Sequence, residues 1–154
     1  MTGTPGIVLR RSSPFDGDAV ADIWLAAFGE TYDFPAAHTD DEVRAWIRSN
    51  LLVESETWVA EDADGTLVGF MSLSDDMLDQ LYVAPRWTGQ GIGGCFLALA
   101  KTRRPAGLDL YTFQANAGAR RFYERHVFVA ISFGDGSGNE ERQPDARYRW
   151  TPET

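Results

Sequence analysis

Apolar residues change their spacing several times along the chain, and each change marks an element. After the turn-forming stretch SSPFDGD, Val20, Ile23, Trp24, Ala27 and Phe28 recur at intervals of three and four, the stripe of an amphipathic helix. A short strand-like segment, Ile7 to Arg10, precedes that turn, and the helical pattern breaks at Tyr32 to His38 around Pro35. Thr39-Asp40-Asp41-Glu42 then matches a capping box, and Val43, Trp46, Ile47 and Leu51 supply the apolar face of a second helix. Periodicity switches to two in Glu56 to Asp62 and Thr66 to Ser74, and Ala63-Asp64-Gly65 between them predicts an antiparallel hairpin. Met77 to Val83 reads as the next strand, followed by a glycine-rich loop and a helix from about Gly91 to Arg103. Leu108 to Gln114 is strand-like, and Ala117 to Arg125 is helical with Asn116 as N-cap. Phe128 to Gly134 and Ala146 to Trp150 are two last strands around a polar loop. The βαβα alternation predicts that the strands at 77–83 and 108–114 lie side by side and parallel.

Composition narrows this picture without changing it. The 154 residues suit one domain, spanning 1–154, and 44% hydrophobic with 24% charged residues is ordinary for a folded chain. No run approaches the roughly 20 apolar residues of a membrane span, and MTGTPGIVLRR lacks the apolar core of a secretory signal. One cysteine, Cys95, fits a reducing cytoplasm, and its apolar helical context reads as core packing. A net charge of -9 argues against general nucleic-acid binding and favours a cationic partner. Nothing in the sequence calls for a metal. Lys101, Arg103, Arg104, Arg120, Arg121 and Arg125 cluster after the glycine loop; they give either a local positive field or a solvated helix face.

The loop itself carries the chemistry. In LYVAPRWTGQGIGG a short strand passes through a Pro-containing turn into glycines and then directly into the apolar pattern CFLALAK. A helix N-terminus presents unpaired N–H groups and the positive end of its dipole, so the junction suits an anion such as a pyrophosphate. Gly89, Gly91, Gly93 and Gly94 would admit close approach and positive φ. No Lys-Ser/Thr pair closes the loop, which excludes a P-loop, and its position after an antiparallel hairpin is wrong for a Rossmann fingerprint.

Together, LYVAPRWTGQGIGGCFLALAK and the later QANAGARRFYERHVFV resemble the two signature segments of the GNAT family of N-acetyltransferases. The order of elements agrees from Ile7 to about Trp150. The resemblance implies an α/β fold: a mixed, mostly antiparallel sheet of six to seven strands, flanked by about four helices and splayed where acetyl-CoA binds. It implies that backbone groups of Leu81, Tyr82 and Val83 face the pantetheine and acetyl carbonyl. The segment Thr88, Gly89, Gln90, Gly91, Ile92, Gly93 and Gly94 would hold the pyrophosphate. Asn116 would reach the pantetheine arm, and Tyr123 would be the general acid that protonates the departing thiolate. Direct transfer to a primary amine needs no protein nucleophile. A dimer is common in the family. Two departures stand out: Thr88 replaces the usual Arg or Gln, and Val127 stands where Gly often follows the Tyr-bearing helix.

The general base is open between Asp79, Glu30 and a water relay, with Glu140 and Glu141 in the long late loop as further carboxylates. Asp79 lies two residues before Leu81, which places both on one strand face. Acceptor choice falls to residues 28–38 and 132–145. In the first of these Tyr32 and Phe34 beside Glu30 and Asp33 suit a cationic amine, whether on a small molecule or a peptide. A silent acyl-CoA sensor is the alternative to an enzyme, and the presence of Tyr123 argues against it.

Overall fold

The computed structural model describes residues 6–153, and structural statements below refer to these. Residues 1–5, the start of the stretch read for a secretory signal, lie outside them. The strands are β1 (Val8–Arg11), β2 (Glu56–Glu61), β3 (Leu67–Ser74), β4 (Met77–Val83), β5 (Leu108–Phe113), β6 (Val129–Gly134) and β7 (Asp145–Trp150). They form one sheet in the order β1-β2-β3-β4-β5-β7-β6. All pairings are antiparallel except β4 with β5, which is parallel. The helices are α1 (Gly17–Thr31), α2 (Asp40–Trp46), a final turn α3 (Leu52–Glu54), α4 (Ile92–Arg103) and α5 (Ala117–Arg125). Every expected strand and helix is present, with ends shifted by one or two residues.

Alternation along β2 and β3 builds two cores. Val59 and Phe70 meet Val20 and Ile23 of α1, Val43 of α2, and Ile47 and Leu51 of the segment that follows α2, on one face. Ala60 and Met71, their neighbours in sequence, meet Ile92, Phe96, Leu97 and Ala100 of α4 on the other. A one-residue slip in register would exchange these faces, so burial on both sides fixes the pairing. The capping box at Thr39 forms as expected: its hydroxyl accepts from Glu42 N at 3.2 Å and Glu42 Oε1 accepts from Thr39 N at 2.8 Å. Between α2 and α3 the backbone widens into a π-helical segment, Ile47–Leu51. Trp46, expected on the buried face, is 41% exposed; the helix turns its ring outward at the edge of a side cavity.

Two polar clusters tie the sheet together. Asp109 is buried and accepts from Arg147 Nε at 2.8 Å and Arg149 Nε at 2.7 Å, which hold its carboxyl below the usual range. Burial works to raise the pKa of Glu56, but hydrogen bonds from Arg103, Trp58 and Arg104 outweigh it and hold the group at about 2. Lys101 donates to the His126 carbonyl at 2.6 Å, and Arg120 to the Tyr148 hydroxyl at 3.1 Å. Most of the basic cluster therefore serves structural pairing rather than an anion field.

α5 ends in a Schellman motif. Phe128 N donates to Tyr123 O at 3.0 Å and Val127 N to Glu124 O at 3.1 Å, while the Phe128 and Tyr123 rings pack at 5.7 Å. The motif requires a left-handed residue, and that residue is Val127, at φ 72°. A β-branched side chain there costs roughly 1–2 kcal/mol, and Val127 is 63% exposed, so little packing offsets the strain. Val127→Gly is expected to raise stability by about 1 kcal/mol in urea unfolding with an unchanged m-value; a lower midpoint would mean that the side chain contributes packing that outweighs its strain.

Candidate functional site

The site begins where the sheet opens. β4 and β5 pair only at Met77↔Asp109, with Asp109 N donating to Asp76 O at 2.9 Å, and then part company. On its other side β4 stays paired with β3 through Met71↔Leu81, Phe70↔Tyr82 and Gly69↔Val83. The edge of residues 81–83 that would face β5 is thus left without a strand partner, which is the expected splay. A cleft of about 720 Å³ fills the gap. Leu81 and Tyr82 form one wall, Tyr111, Thr112 and Phe113 the other, and Asn116 and Tyr123 close the end.

Tyr123 is held there by α5 and by contacts with Phe122, Phe128 and Tyr148. The residue is 9% exposed, and its hydroxyl has no hydrogen-bond partner among the described residues. Burial, reinforced by Tyr32 nearby, raises its pKa, so the phenol keeps its proton throughout the neutral range. Asn116 caps α5 by accepting from Ala119 N at 3.0 Å, and its Nδ2 donates to the Tyr32 hydroxyl at 3.0 Å. That bond reaches from α5 to the end of α1, where Phe28, Tyr32, Phe34 and Phe113 stack as one aromatic group. Spacing marked Trp24 and Phe28 as part of a buried stripe; Phe28 is buried and Trp24 packs against the core, and both also line the cleft. Nothing in the pattern signalled the Tyr32–Asn116 bond, because it joins residues 84 apart.

Asp79 also lines the cleft. Leu73 pairs with Leu78 and Ser72 with Gln80, so Asp79 is the extra residue of a β-bulge, which interrupts the alternation used above to place it with Leu81. Although accessible to solvent, it has a raised pKa: partial desolvation pushes it up, assisted by the charge of Asp75 and opposed by Ser74. Glu30 lies elsewhere, exposed at the end of α1 and absent from the cleft wall.

The glycine loop follows β4 through a 3-10 turn, Pro85–Trp87, and does not line the cleft. Gly89 and Gly91 adopt φ of 78° and 86°, and no side chain caps the α4 N-terminus. A Cβ on Gly93 would lie 3.0 Å from the Phe122 ring, so the bare backbone there also lets α5 pack close, whereas one on Gly94 would make ordinary contact with His126 at 3.4 Å. The Thr88 hydroxyl donates to Pro85 O at 3.0 Å, which commits it to the turn. Among the described residues no group of three or more His, Cys, Asp and Glu could hold a metal ion, and no helix is long and apolar enough to cross a membrane.

A side cavity of about 370 Å³ adjoins the cleft, sharing Trp24, Gln80 and Glu141 with it. Its rim joins the two loops expected to choose the acceptor. Glu141 accepts from Ala37 N at 3.1 Å, and Glu140 pairs with His38, whose other ring nitrogen lies 3.9 Å from Glu42.

The profile of the acetyltransferase (GNAT) domain matches residues 53–130. The chain is 33% identical over 122 residues to peptidyl-lysine N-acetyltransferase YjaB of Salmonella typhimurium, covering 79% of this chain and 83% of that protein. Its fold matches the solution structure of apo YjaB from Escherichia coli with a TM-score of 0.79, at 27% identity over 96% of this chain and 99% of that one. It also matches the PaiA N-acetyltransferase of Thermoplasma acidophilum, solved in complex with coenzyme A. There the TM-score is 0.69 at 22% identity, over 94% and 98% of the two chains.

The loop contact titrates. Pairing with Glu140, then the charges of Glu140, Glu42 and Glu141, raises the His38 pKa above its ordinary 6.5. The attraction is therefore fully present below pH 6.5 and fades as pH rises through the raised value. In an NMR titration His38 is expected to titrate above 6.5 and to fall back toward it in Glu140→Gln; identical curves would remove the pairing.

Proposed function

The chain belongs to the GNAT family of acetyltransferases, and from that premise we propose that it transfers the acetyl group of acetyl-CoA to the side-chain amine of a peptide lysine. The observation that carries the reading is the parted edge of β4 opposite the unpartnered Tyr123 hydroxyl. The fit to the donor is physical. Unpaired backbone groups at residues 81–83 can continue hydrogen bonding to the amides of a pantetheine arm, as an added strand would. The uncapped N-terminus of α4, with left-handed glycines before it, suits a pyrophosphate, although Thr88 is engaged in its own turn. YjaB's name supports lysine as the acceptor.

Within this frame each residue has one task. A backbone N–H at Tyr82 or Val83 polarises the thioester carbonyl, as an oxyanion donor does. Asp79, with its raised pKa, takes the proton of the attacking ammonium directly or through a water, so that nitrogen attacks as a neutral amine. Tyr123 gives its proton to the sulfur as the C–S bond breaks, and burial ensures the proton is present at neutral pH. Asn116, fixed between the α5 backbone and Tyr32, hydrogen bonds the pantetheine arm in this reading.

Acetyl-CoA at about 100 times its Kd is expected to stabilise the fold by about 2.7 kcal/mol, read as a raised melting temperature; no shift at saturation would remove the donor assignment. Tyr123→Phe is expected to lower kcat by roughly 10² or more while the acetyl-CoA Kd stays nearly constant. Full turnover in that variant would exclude Tyr123 as the acid. A protein that binds acetyl-CoA yet releases no thiol with any lysine peptide would be a sensor.

A further inference from the structure

We propose that the side cavity next to the cleft receives a second, non-reacting basic side chain of the acceptor peptide, and so selects lysines that lie beside another Arg or Lys. The inference rests on the lysine reading above and deepens it. The cavity has about 370 Å³ of room for one long side chain, yet neither Tyr123, Asn116 nor Leu81 reaches into it. A group seated there cannot meet the acyl donor, so whatever it binds is a determinant of recognition rather than the reacting amine.

Its lining defines the guest. Trp24 and Trp46 supply aromatic faces, and Glu42, Glu140 and Glu141 supply three carboxylates. His38, the one basic side chain in the wall, offsets part of that charge through Glu140 and Glu42. Aromatic faces combined with an excess of carboxylates favour a guanidinium or ammonium and disfavour an acidic or plain apolar group. Gln80 stands on the partition between cavity and cleft, and its side-chain amide makes no hydrogen bond among the described residues, so it is available. Its cross-strand partner Ser72 keeps a buried hydroxyl with no partner. Because Trp24, Gln80 and Glu141 face both spaces, a peptide that extends its acceptor lysine into the cleft has a neighbouring side chain within reach of the cavity.

The test compares paired lysine peptides that differ at one position, Arg in one and Gln in the other, scanned over the two positions on either side of the acceptor. With the parent protein, kcat/KM is expected to favour the Arg peptide by roughly three- to fivefold at one or more positions, as a partly exposed ion pair allows. Glu140→Gln and Trp46→Ala should each bring that ratio toward one; because it compares two substrates of the same variant, a general loss of folded protein cancels. A parent ratio near one at every position overturns the inference, as does a ratio that neither substitution moves. If neither peptide is acetylated while acetyl-CoA still raises the melting temperature, the lysine reading itself fails and the role of the cavity fails with it.

Discussion

The parting of β4 from β5 is the constraint on which the rest of the molecule depends. A strand in the middle of a seven-stranded sheet ordinarily spends every backbone group on its neighbours, and leaving such groups unpaired in a half-buried wall is costly. Here the sheet keeps one parallel pair at Met77↔Asp109 and lets the strands diverge beyond it. Asp109 is pinned from the far side by Arg147 and Arg149 of β7, so the point of divergence is set by a buried ion cluster rather than by the strands alone. Everything that makes the cleft useful sits downstream of that hinge point: the open edge at residues 81–83, the aromatic end wall and the Tyr123 hydroxyl.

Charge is arranged on the same principle of local purpose. The chain has an excess of nine negative charges, but the carboxylates that matter do different work according to their surroundings. Glu56 and Asp109, pinned by arginines, have depressed pKa values and act as fasteners. Asp79, partly desolvated beside Asp75, has a raised one. Arg103 and Arg104 are paired with Glu56, while the N-terminus of α4 has no side-chain cap from Gly91.

Much of this was legible in the residues, for physical reasons. Long-period patterns fixed the elements because both faces of the sheet are covered, so β2 and β3 had to alternate between two cores. The capping box at Thr39 and the N-cap at Asn116 are local hydrogen bonds between residues three apart, and they formed as expected. Tertiary contacts escaped the sequence. Trp46 had helical spacing but lies outward, the bulge at Asp79 depends on how β3 runs past β4, and Glu30, between the wall residues Phe28 and Tyr32, is exposed to solvent. The close packing of Gly93 on Phe122 escaped the sequence too, because a glycine motif records that glycine is needed, not every neighbour that needs it.

The contact of Gly93 with Phe122 has a reach beyond packing. It sets the helix that opens after the glycine loop directly against the helix that carries Tyr123, the very next residue. A bulkier residue at position 93 would press on the Phe122 ring, and so crowd the helix that carries Tyr123 as well as the loop. The glycine loop and the Tyr123 helix thus share one packing contact, and a change of side chain at this corner is felt by both.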